Sequence, residues 1–147
     1  MSARTVAGTM PVAFRYTPGV ANTRFFETLR DRGVFLGSHC DRCAVTVVPA
    51  RLFCERCFDE TATEVECGPG GTLESWTIGH VGIDGEPLDA PVTLALVRLD
   101  GADSLLVHRL LDVPQLEVGM RVRAVLAPER EAGILDVDGF ASAVGES

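Results

Sequence analysis

The second half of the chain alternates between short apolar stretches and turn-rich connections. The apolar stretches cover residues 72–80, 92–100, 104–113, 121–128 and 134–143. Apolar runs of this length, separated by Gly, Pro and Asp, predict β-strands. The second and third stretches are almost continuously apolar, as in strands that are covered on both faces. Five short strands predict one small barrel of the OB-fold type, with its short helix expected between the third and fourth strands.

The N-terminal part carries a single helical pattern. Residues 1–19 show no sustained period, so we predict an extended arm. Within residues 20–33, Asn22 or Thr23 is a suitable N-cap and Gly33 a suitable end for a helix. Its apolar stripe consists of Phe25, Phe26 and Leu29. Three side chains are too few to stabilise an isolated helix, so we expect this stripe to pack on the body of the chain or on a partner.

Between the helix and the predicted barrel lie two Cys-x-x-Cys pairs. Cys40 and Cys43 form the first pair, Cys54 and Cys57 the second, and residues 44–53 separate them. Each pair lets one tight turn place two sulfurs on the same ion, and four thiolates suit a tetrahedral zinc ion. The sequence therefore predicts a zinc ribbon over residues 34–67. This divides the chain into an arm and helix (1–33), a zinc ribbon (34–67) and an OB-fold (68–147).

Other chemistries for these cysteines are less well matched. A thioredoxin-like redox centre needs one such motif at the start of a helix rather than two matched pairs. Iron fits the same tetrahedral thiolate cage, so the sequence does not separate iron from zinc. A metal held by four thiolates has no open position for water or substrate, and we expect it to stabilise the ribbon and not to catalyse. Arg42 and Arg56, within the two pairs, are expected to offset the negative charge of the site.

Composition and charge narrow the class of protein. The chain of 147 residues has a formal net charge of −8, and its 13 basic residues are all arginines. It lacks a broad cationic surface for a phosphate backbone and the aromatic ladder of single-strand binders, which disfavours a stand-alone nucleic-acid-binding module. No apolar run is long enough for a transmembrane helix. No signal-peptide core is evident either, so we expect a cytoplasmic protein in which disulfides are disfavoured.

The sequence offers no convincing catalytic constellation. Cys67 is unpaired and has no neighbouring base, so we interpret it as a small apolar residue at a module boundary, with an independent cysteine enzyme as the alternative. His39 adjoins the first metal ligand, and His80 and His108 fall within predicted strands, where histidine is usually structural. Three side chains have a possible binding role: Arg51 for a phosphate, Trp76 for stacking on a base, and His80 beside it.

Several motifs together resemble a known family. They are the Gly33–Gly37 segment, the two cysteine pairs, Val48-Pro49-Ala50-Arg51, the Gly-rich turn at 68–71, Ser75-Trp76-Thr77-Ile78 and Val118-Gly119-Met120. This pattern resembles the bacterial and archaeal acyl-CoA-associated family, which joins a rubredoxin-like zinc ribbon to a C-terminal OB-fold. The resemblance spans about residues 20–142. The family often has two prolines before the arginine where this chain has only Pro49.

The resemblance implies an accessory subunit. Family members assemble with a thiolase-like partner or, in other branches, with an enoyl-CoA hydratase or an aldolase that acts on coenzyme A thioesters. The resemblance implies that the partner supplies the catalytic groups while the OB-fold helps to bind or channel the thioester. On this basis we expect a hetero-oligomer with structural Zn²⁺ at Cys40, Cys43, Cys54 and Cys57. Arg51, Trp76 and His80 are the candidate coenzyme A contacts, and Phe25, Phe26 and Leu29 the candidate partner contacts.

Overall fold

A computed structural model describes residue 8, residues 16–111 and residues 115–143. The described residues form one α-helix and eight β-strands: α1 (Gly19–Arg32), β1 (Phe35–Cys40), β2 (Val45–Val47), β3 (Thr63–Cys67), β4 (Gly70–Val81), β5 (Pro87–Leu99), β6 (Leu106–Arg109), β7 (Arg121–Leu126) and β8 (Val137–Ser142). The strands make a three-stranded sheet, β2-β1-β3, and a five-stranded sheet, β6-β5-β4-β7-β8. The predicted mainly β fold with one short helix is confirmed. The predicted arm lies almost entirely outside the described residues.

Helix α1 begins earlier than predicted. Neither Asn22 nor Thr23 is its N-cap, because Pro18 precedes the first helical residue and no side chain caps this end. Pro18 has a φ of −66°, and the fixed φ of proline suits the entry into a helix. The end is as predicted: Gly33 has a φ of +67° and its N–H donates to the Leu29 carbonyl at 3.0 Å.

The three-stranded sheet carries the ribbon. β1 lies in its centre, pairs with β2 across a tight turn, and pairs along its other edge with β3. β3 leads directly into the Gly-rich turn before β4. Both partners of β1 are antiparallel to it, so this sheet needs only short connections.

The five-stranded sheet closes into a barrel. Neighbouring strands are antiparallel, and a parallel bridge between Leu110 and Phe140 joins its two ends. The Leu111 N–H donates to the Phe140 carbonyl at 2.7 Å at this closure. The five strands predicted from the apolar stretches and the OB-fold are thus confirmed. Residues 115–120 form turns rather than the expected helix, and residues 112–114 lie outside the described residues.

One apolar core connects helix, ribbon and barrel. Phe25 of α1, Phe35 of β1 and Phe140 of β8 have no exposed surface. The rings of Phe25 and Phe35 lie 6.4 Å apart, and those of Phe35 and Phe140 lie 6.5 Å apart. Aromatic rings at this separation pack favourably. The ribbon sheet therefore shares its core with the barrel.

Hydrogen bonds add a second link between ribbon and barrel. The connection from β5 to β6 contacts β2: Asp103 Oδ2 accepts the Thr46 N–H at 2.8 Å, and the Asp103 N–H donates to the Thr46 carbonyl at 2.8 Å. Ser104 Oγ accepts the Val48 N–H at 2.7 Å and donates to the Val48 carbonyl at 3.0 Å. These bonds satisfy backbone groups of the ribbon that its own sheet leaves unpaired.

One expectation about the barrel strands is wrong. The outer face of β5 is not covered by this chain, because Val92 and Leu94 are 40% and 42% exposed, and on β6 Val107 is 58% exposed. The inward side chains of β5, Ala95, Val97 and Leu99, are buried. The continuous apolar pattern therefore reflects one face in the core and one apolar face on the surface. No helix among the described residues has the length and apolar content needed to cross a membrane.

Candidate metal centre

The two cysteine pairs meet at one end of the ribbon. Cys40 is the last residue of β1, so the first pair occupies the turn into β2, and the second pair lies in the loop between β2 and β3. Each pair is followed by a residue with positive φ, Ala44 at 50° and Phe58 at 62°. In the second turn the Phe58 N–H donates to the Cys54 carbonyl at 2.9 Å. The tight turns predicted from the spacing thus position both pairs.

The four sulfurs form a compact cluster. The Sγ atoms of Cys40, Cys43, Cys54 and Cys57 all lie within 4.8 Å of one another, and those of Cys40 and Cys57 are 3.5 Å apart. Zinc–thiolate bonds of about 2.3 Å in a tetrahedron place sulfurs at roughly this separation. Within the part of the chain that the structure describes, this is the one group of three or more such ligands. The residues fit a structural zinc ion.

The close contact of the thiols, and of the backbone around them, shifts thiol pKa values in both directions. Backbone N–H groups of Cys57 and Arg56 lower the pKa of Cys54 to about 6, and the Arg56 N–H lies 3.4 Å from its sulfur. A hydrogen bond with Cys57 raises the pKa of Cys43 to about 12. A dication favours the thiolate at every ligand and so opposes the second effect. The backbone of the second turn is therefore arranged to stabilise negative sulfur.

The charged side chains around the cluster do not all face the sulfurs. Of the two arginines within the pairs, Arg42 forms an ion pair with a carboxylate, since its Nη1 lies 3.3 Å from Oδ2 of Asp59. Arg56 contributes its backbone N–H. His39 is not a ligand: its Nδ1 lies 2.9 Å from Thr46 Oγ1 across the β1–β2 pair. A zinc ion held by the four cysteines has no open coordination position.

Cys67 lies apart from the metal ligands, at the end of β3. Its side chain is 2% exposed and belongs to the apolar core. Burial raises the pKa of the Cys67 thiol, and the nearby Asp103 carboxylate raises it further. A protonated, buried thiol is a poor nucleophile. The geometry therefore supports a packing role for Cys67.

Arg51 lines a shallow groove beside the ribbon. The groove has a volume of about 360 Å³, and Arg24, Ser38, Phe53 and Thr61 also line it. The Arg51 N–H donates to Ser38 Oγ at 2.9 Å, which fixes the backbone, while its guanidinium is paired with Glu55. Arg24 is paired with Glu64 at 2.9 Å. Both cations of the groove are thus engaged with surface carboxylates.

Trp76 and His80 lie on β4 and do not line that groove. Trp76 is half-buried and packs against the barrel core, opposite Ala95 of β5. His80 is exposed near the end of the strand. Of the three candidate coenzyme A contacts, only Arg51 is among the residues that line this groove. His108, on β6, packs its ring edgewise on Phe140 at 6.3 Å, and burial lowers its pKa.

The candidate partner contacts on α1 need a correction. Phe25 and Leu29 have no exposed surface because they pack on the core of this chain, and Phe26 is partly buried against it. Two of these three side chains are thus unavailable to a partner. The exposed apolar residues that sequence reasoning missed include Leu52, Phe53 and Phe58 on the ribbon, and others on strands β4 to β6. In the sequence, β5 and β6 resemble strands that are covered on both faces.

Two family models match the sequence, one for each module. Residues 28–64 match the rubredoxin-like zinc ribbon domain of ChsH2, and residues 64–127 match the C-terminal OB-fold domain of ChsH2. No curated protein matches the chain.

Solved structures give the same assignment. A crystal structure of a DUF35-family protein of unknown function from Sulfolobus solfataricus is 30% identical, with a TM-score of 0.61, and the match covers 73% of this chain and 78% of that one. An Ltp2-ChsH2(DUF35) aldolase is 26% identical, with a TM-score of 0.64, and the match covers 88% of this chain and 100% of the matched chain. Each of these matches covers more of this chain than either module alone.

Proposed function

Because the chain belongs to the DUF35 family of ChsH2-like proteins, we propose that it is a non-catalytic subunit of a complex acting on a carbon–carbon bond of a coenzyme A thioester. The observation that carries this proposal is the similarity to an Ltp2-ChsH2(DUF35) aldolase over the whole of the matched chain. In the proposed complex the partner supplies the nucleophile and the acid–base groups. This chain supplies a rigid surface for the partner and for the thioester.

The geometry of the chain itself supports a non-catalytic role. Its metal ligands are four thiolates, which leave no position for substrate. Burial holds Cys67 as a thiol. His39, which adjoins the first metal ligand, is hydrogen-bonded to Thr46 within the ribbon sheet. The described residues thus provide no arranged set of nucleophile, base and orienting group of the kind that covalent catalysis needs.

The candidate partner enzymes can be ranked by the reaction that each catalyses. A thiolase-like partner is our first choice from the family resemblance, with an aldolase or an enoyl-CoA hydratase second. Thiolases and aldolases both make or break carbon–carbon bonds, whereas a hydratase adds water to a double bond. The aldolase among the relatives therefore supports the carbon–carbon class against the hydratase.

The coenzyme A contacts remain part of the proposal. Arg51 is the first candidate, because its groove is open to solvent and its guanidinium needs only to exchange Glu55 for a phosphate. Trp76 and His80 are proposed contacts on the barrel, for the base and the pantetheine arm. Because Arg51 lies in the ribbon, whereas Trp76 and His80 lie on β4 of the barrel, the proposed ligand extends across both modules in a site that the partner completes.

The test is to isolate the complex and assay it. Affinity purification of the chain from its native cells, followed by mass spectrometry, identifies the partner, and metal analysis of the eluate distinguishes zinc from iron. The purified complex is then tested with acyl-CoA substrates, with and without free coenzyme A. Thiolysis consumes free coenzyme A as the attacking thiol, whereas aldol cleavage releases a carbonyl compound and a shorter thioester without it.

The isolated chain is the control in that assay. We expect turnover by the complex and none by this chain alone. Turnover by the isolated chain that is lost in Cys67→Ala would instead establish an independent cysteine enzyme. Tight, salt-sensitive binding of single-stranded DNA or RNA by the isolated chain would favour the nucleic-acid-binding alternative.

A further inference from the structure

The β4–β5 hairpin extends beyond the strands that flank it. β4 pairs with β7 only at residues 70–72, and β5 pairs with β6 only at residues 94–97. The two strands nevertheless continue together to the pair formed by Val81 and Pro87. Within the described part of the chain, residues 78–92 therefore form a two-stranded extension, which we call the hairpin arm. Two isolated strands are marginally stable in water.

The hairpin arm is apolar and exposed. It includes Ile78, Val81, Ile83, Leu88 and Val92, each of which is at least 37% exposed. The apolar surface continues onto the barrel, because Val92, Leu94 and Leu96 point outward from alternate positions of β5, and Val107 of β6 lies opposite Leu96. A solvated sheet face normally alternates apolar-in and polar-out. Ile78 lies opposite Thr93 and therefore on the other face of the hairpin from Val92. Apolar side chains are thus exposed on both faces of the arm, which is typical of a binding site for another protein.

The charge of the hairpin arm indicates which kind of protein surface can bind it. Residues 78–92 contain Asp84, Glu86 and Asp89 and no arginine or lysine. The whole chain has a net charge of −8. A second copy on the same surface would place two acidic arms and two acidic chains together, and like charges at an interface are costly. The complementary surface is an apolar groove bordered by arginine or lysine.

We propose that the hairpin arm and the adjoining outer face of β5 and β6 form the docking surface for the partner enzyme, which offers an apolar groove with a basic rim. This inference rests on the proposed function, because it takes the partner from there. It moves the partner contacts from α1, whose stripe is buried, to the exposed apolar face of the barrel. The arm is long enough to reach into a groove, and the edges of its two strands offer N–H and C=O groups for strand addition.

The test compares variants in the purified complex. Val81→Ser with Ile83→Ser removes two exposed apolar side chains, and we expect the affinity for the co-purifying partner to fall by at least about tenfold. Leu135→Ser is the matched control, because Leu135 is 80% exposed and lies outside the arm. The affinity of this variant for the partner should stay within about twofold of that of the unmodified chain. Asp84→Asn with Glu86→Gln and Asp89→Asn should slow association and weaken its salt dependence.

A second readout does not depend on mutation. Hydrogen exchange of the full chain, alone and in the complex, should show the arm amides exchanging rapidly alone and protected by the partner. Exchange in the β7–β8 connection, residues 127–136, should not change. Unaltered arm exchange, unaltered partner affinity of the arm variants, or a homodimer lost in them would each overturn the inference. If the arm binds a partner that has no activity on thioesters, the proposed function fails while the docking surface stands.

Discussion

The ribbon and the barrel bury different kinds of side chain. In the barrel, the fully buried residues include Leu73, Val97, Val122 and Phe140. In the ribbon, the buried residues outside the shared core include metal ligands and the polar Ser38, Thr46 and Thr61. A sheet of three short strands cannot bury enough apolar area to fold alone, so it depends on metal and on satisfied hydrogen bonds. The barrel is stabilised by apolar burial, in a core that it shares with the ribbon.

The buried polar residues of the ribbon stabilise it because each of them is hydrogen-bonded. Ser38 Oγ accepts the Arg51 N–H at 2.9 Å, and Thr61 Oγ1 donates to the Arg51 carbonyl. Thr46 bonds His39 through its side chain and Asp103 through its N–H. Buried polar groups stabilise a structure only when they are satisfied. The ribbon is therefore a hydrogen-bonded frame around a metal, anchored on the barrel by its apolar core and by the β5–β6 connection.

The largest expected effect is on the metal. Cys54→Ser removes one thiolate, and structural zinc in small zinc-binding peptides contributes on the order of 10 kcal/mol to folding. We expect the variant to lose its metal and to become insoluble or unable to bind its partner, as measured by metal analysis, circular dichroism and pull-down. Cys67→Ala is the control: it should keep its metal. A Cys54→Ser protein that is well folded and still binds its partner would contradict the comparison of the two modules.

The second effect tests the barrel. Phe140 has no exposed surface, and its ring lies 6.5 Å from that of Phe35. Phe140→Ala should lower the free energy of unfolding by about 3–5 kcal/mol, because it leaves a cavity in the core. Since the ribbon shares this core, we expect metal release and barrel unfolding to occur in one thermal transition. Two separate transitions would show that the ribbon holds its metal independently of the barrel.

The sequence predicts these two modules unequally well. The spacing of Cys40, Cys43, Cys54 and Cys57 identifies the metal ligands directly, because a metal fixes the turn that each pair must make. The apolar runs identify the barrel strands but not which of their faces is covered, since the exposed residues of β5 follow the same apolar pattern as its buried ones. The stripe on α1 likewise fits a core or a partner equally well in sequence. Only the tertiary arrangement separates a buried apolar face from an exposed one.

The contacts between modules are the least predictable part. Ser104 and Asp103 lie in a turn-rich connection, and nothing local marks them as partners of the ribbon. Their hydrogen bonds to Val48 and Thr46 span 56 and 57 positions of sequence. Hydrogen bonds of this kind depend on the final packing of two sheets and leave no periodic signal. The groove at Arg51 also depends on the final packing of the chain and likewise leaves no periodic signal in the sequence.

A smaller effect is expected at this junction. Ser104→Ala removes the hydroxyl that contacts both the N–H and the carbonyl of Val48, at 2.7 and 3.0 Å. A buried backbone group left without a partner costs about 1–3 kcal/mol. We expect the free energy of unfolding of this variant, measured in urea, to fall by that amount while the metal stays bound. Ser75→Ala, at an exposed position of β4, should change the stability by less than about 0.5 kcal/mol. Equal effects of the two variants would remove Ser104 as a link between the modules.

The smallest effect concerns an ion pair on the barrel surface. Arg121 Nη1 donates to Asp100 Oδ1 at 2.8 Å, and this contact lowers the pKa of Asp100. A carboxyl whose pKa is lowered by folding stabilises the protein above its unfolded pKa, about 3.9, and this contribution is lost as the pH falls through the folded value. The two side chains are 51% and 52% exposed, so solvent limits the contribution to less than about 1 kcal/mol.

Asp100→Asn measures that contribution. At pH 7 the variant should unfold at slightly lower urea concentration than the unmodified chain, and the difference should shrink as the pH falls below about 4. Added salt should reduce it at neutral pH, because both groups are exposed. A difference that is the same at pH 7 and below pH 4 would contradict a charge-dependent contribution of Asp100, because asparagine has nearly the same shape as aspartate and the variant changes little except the charge.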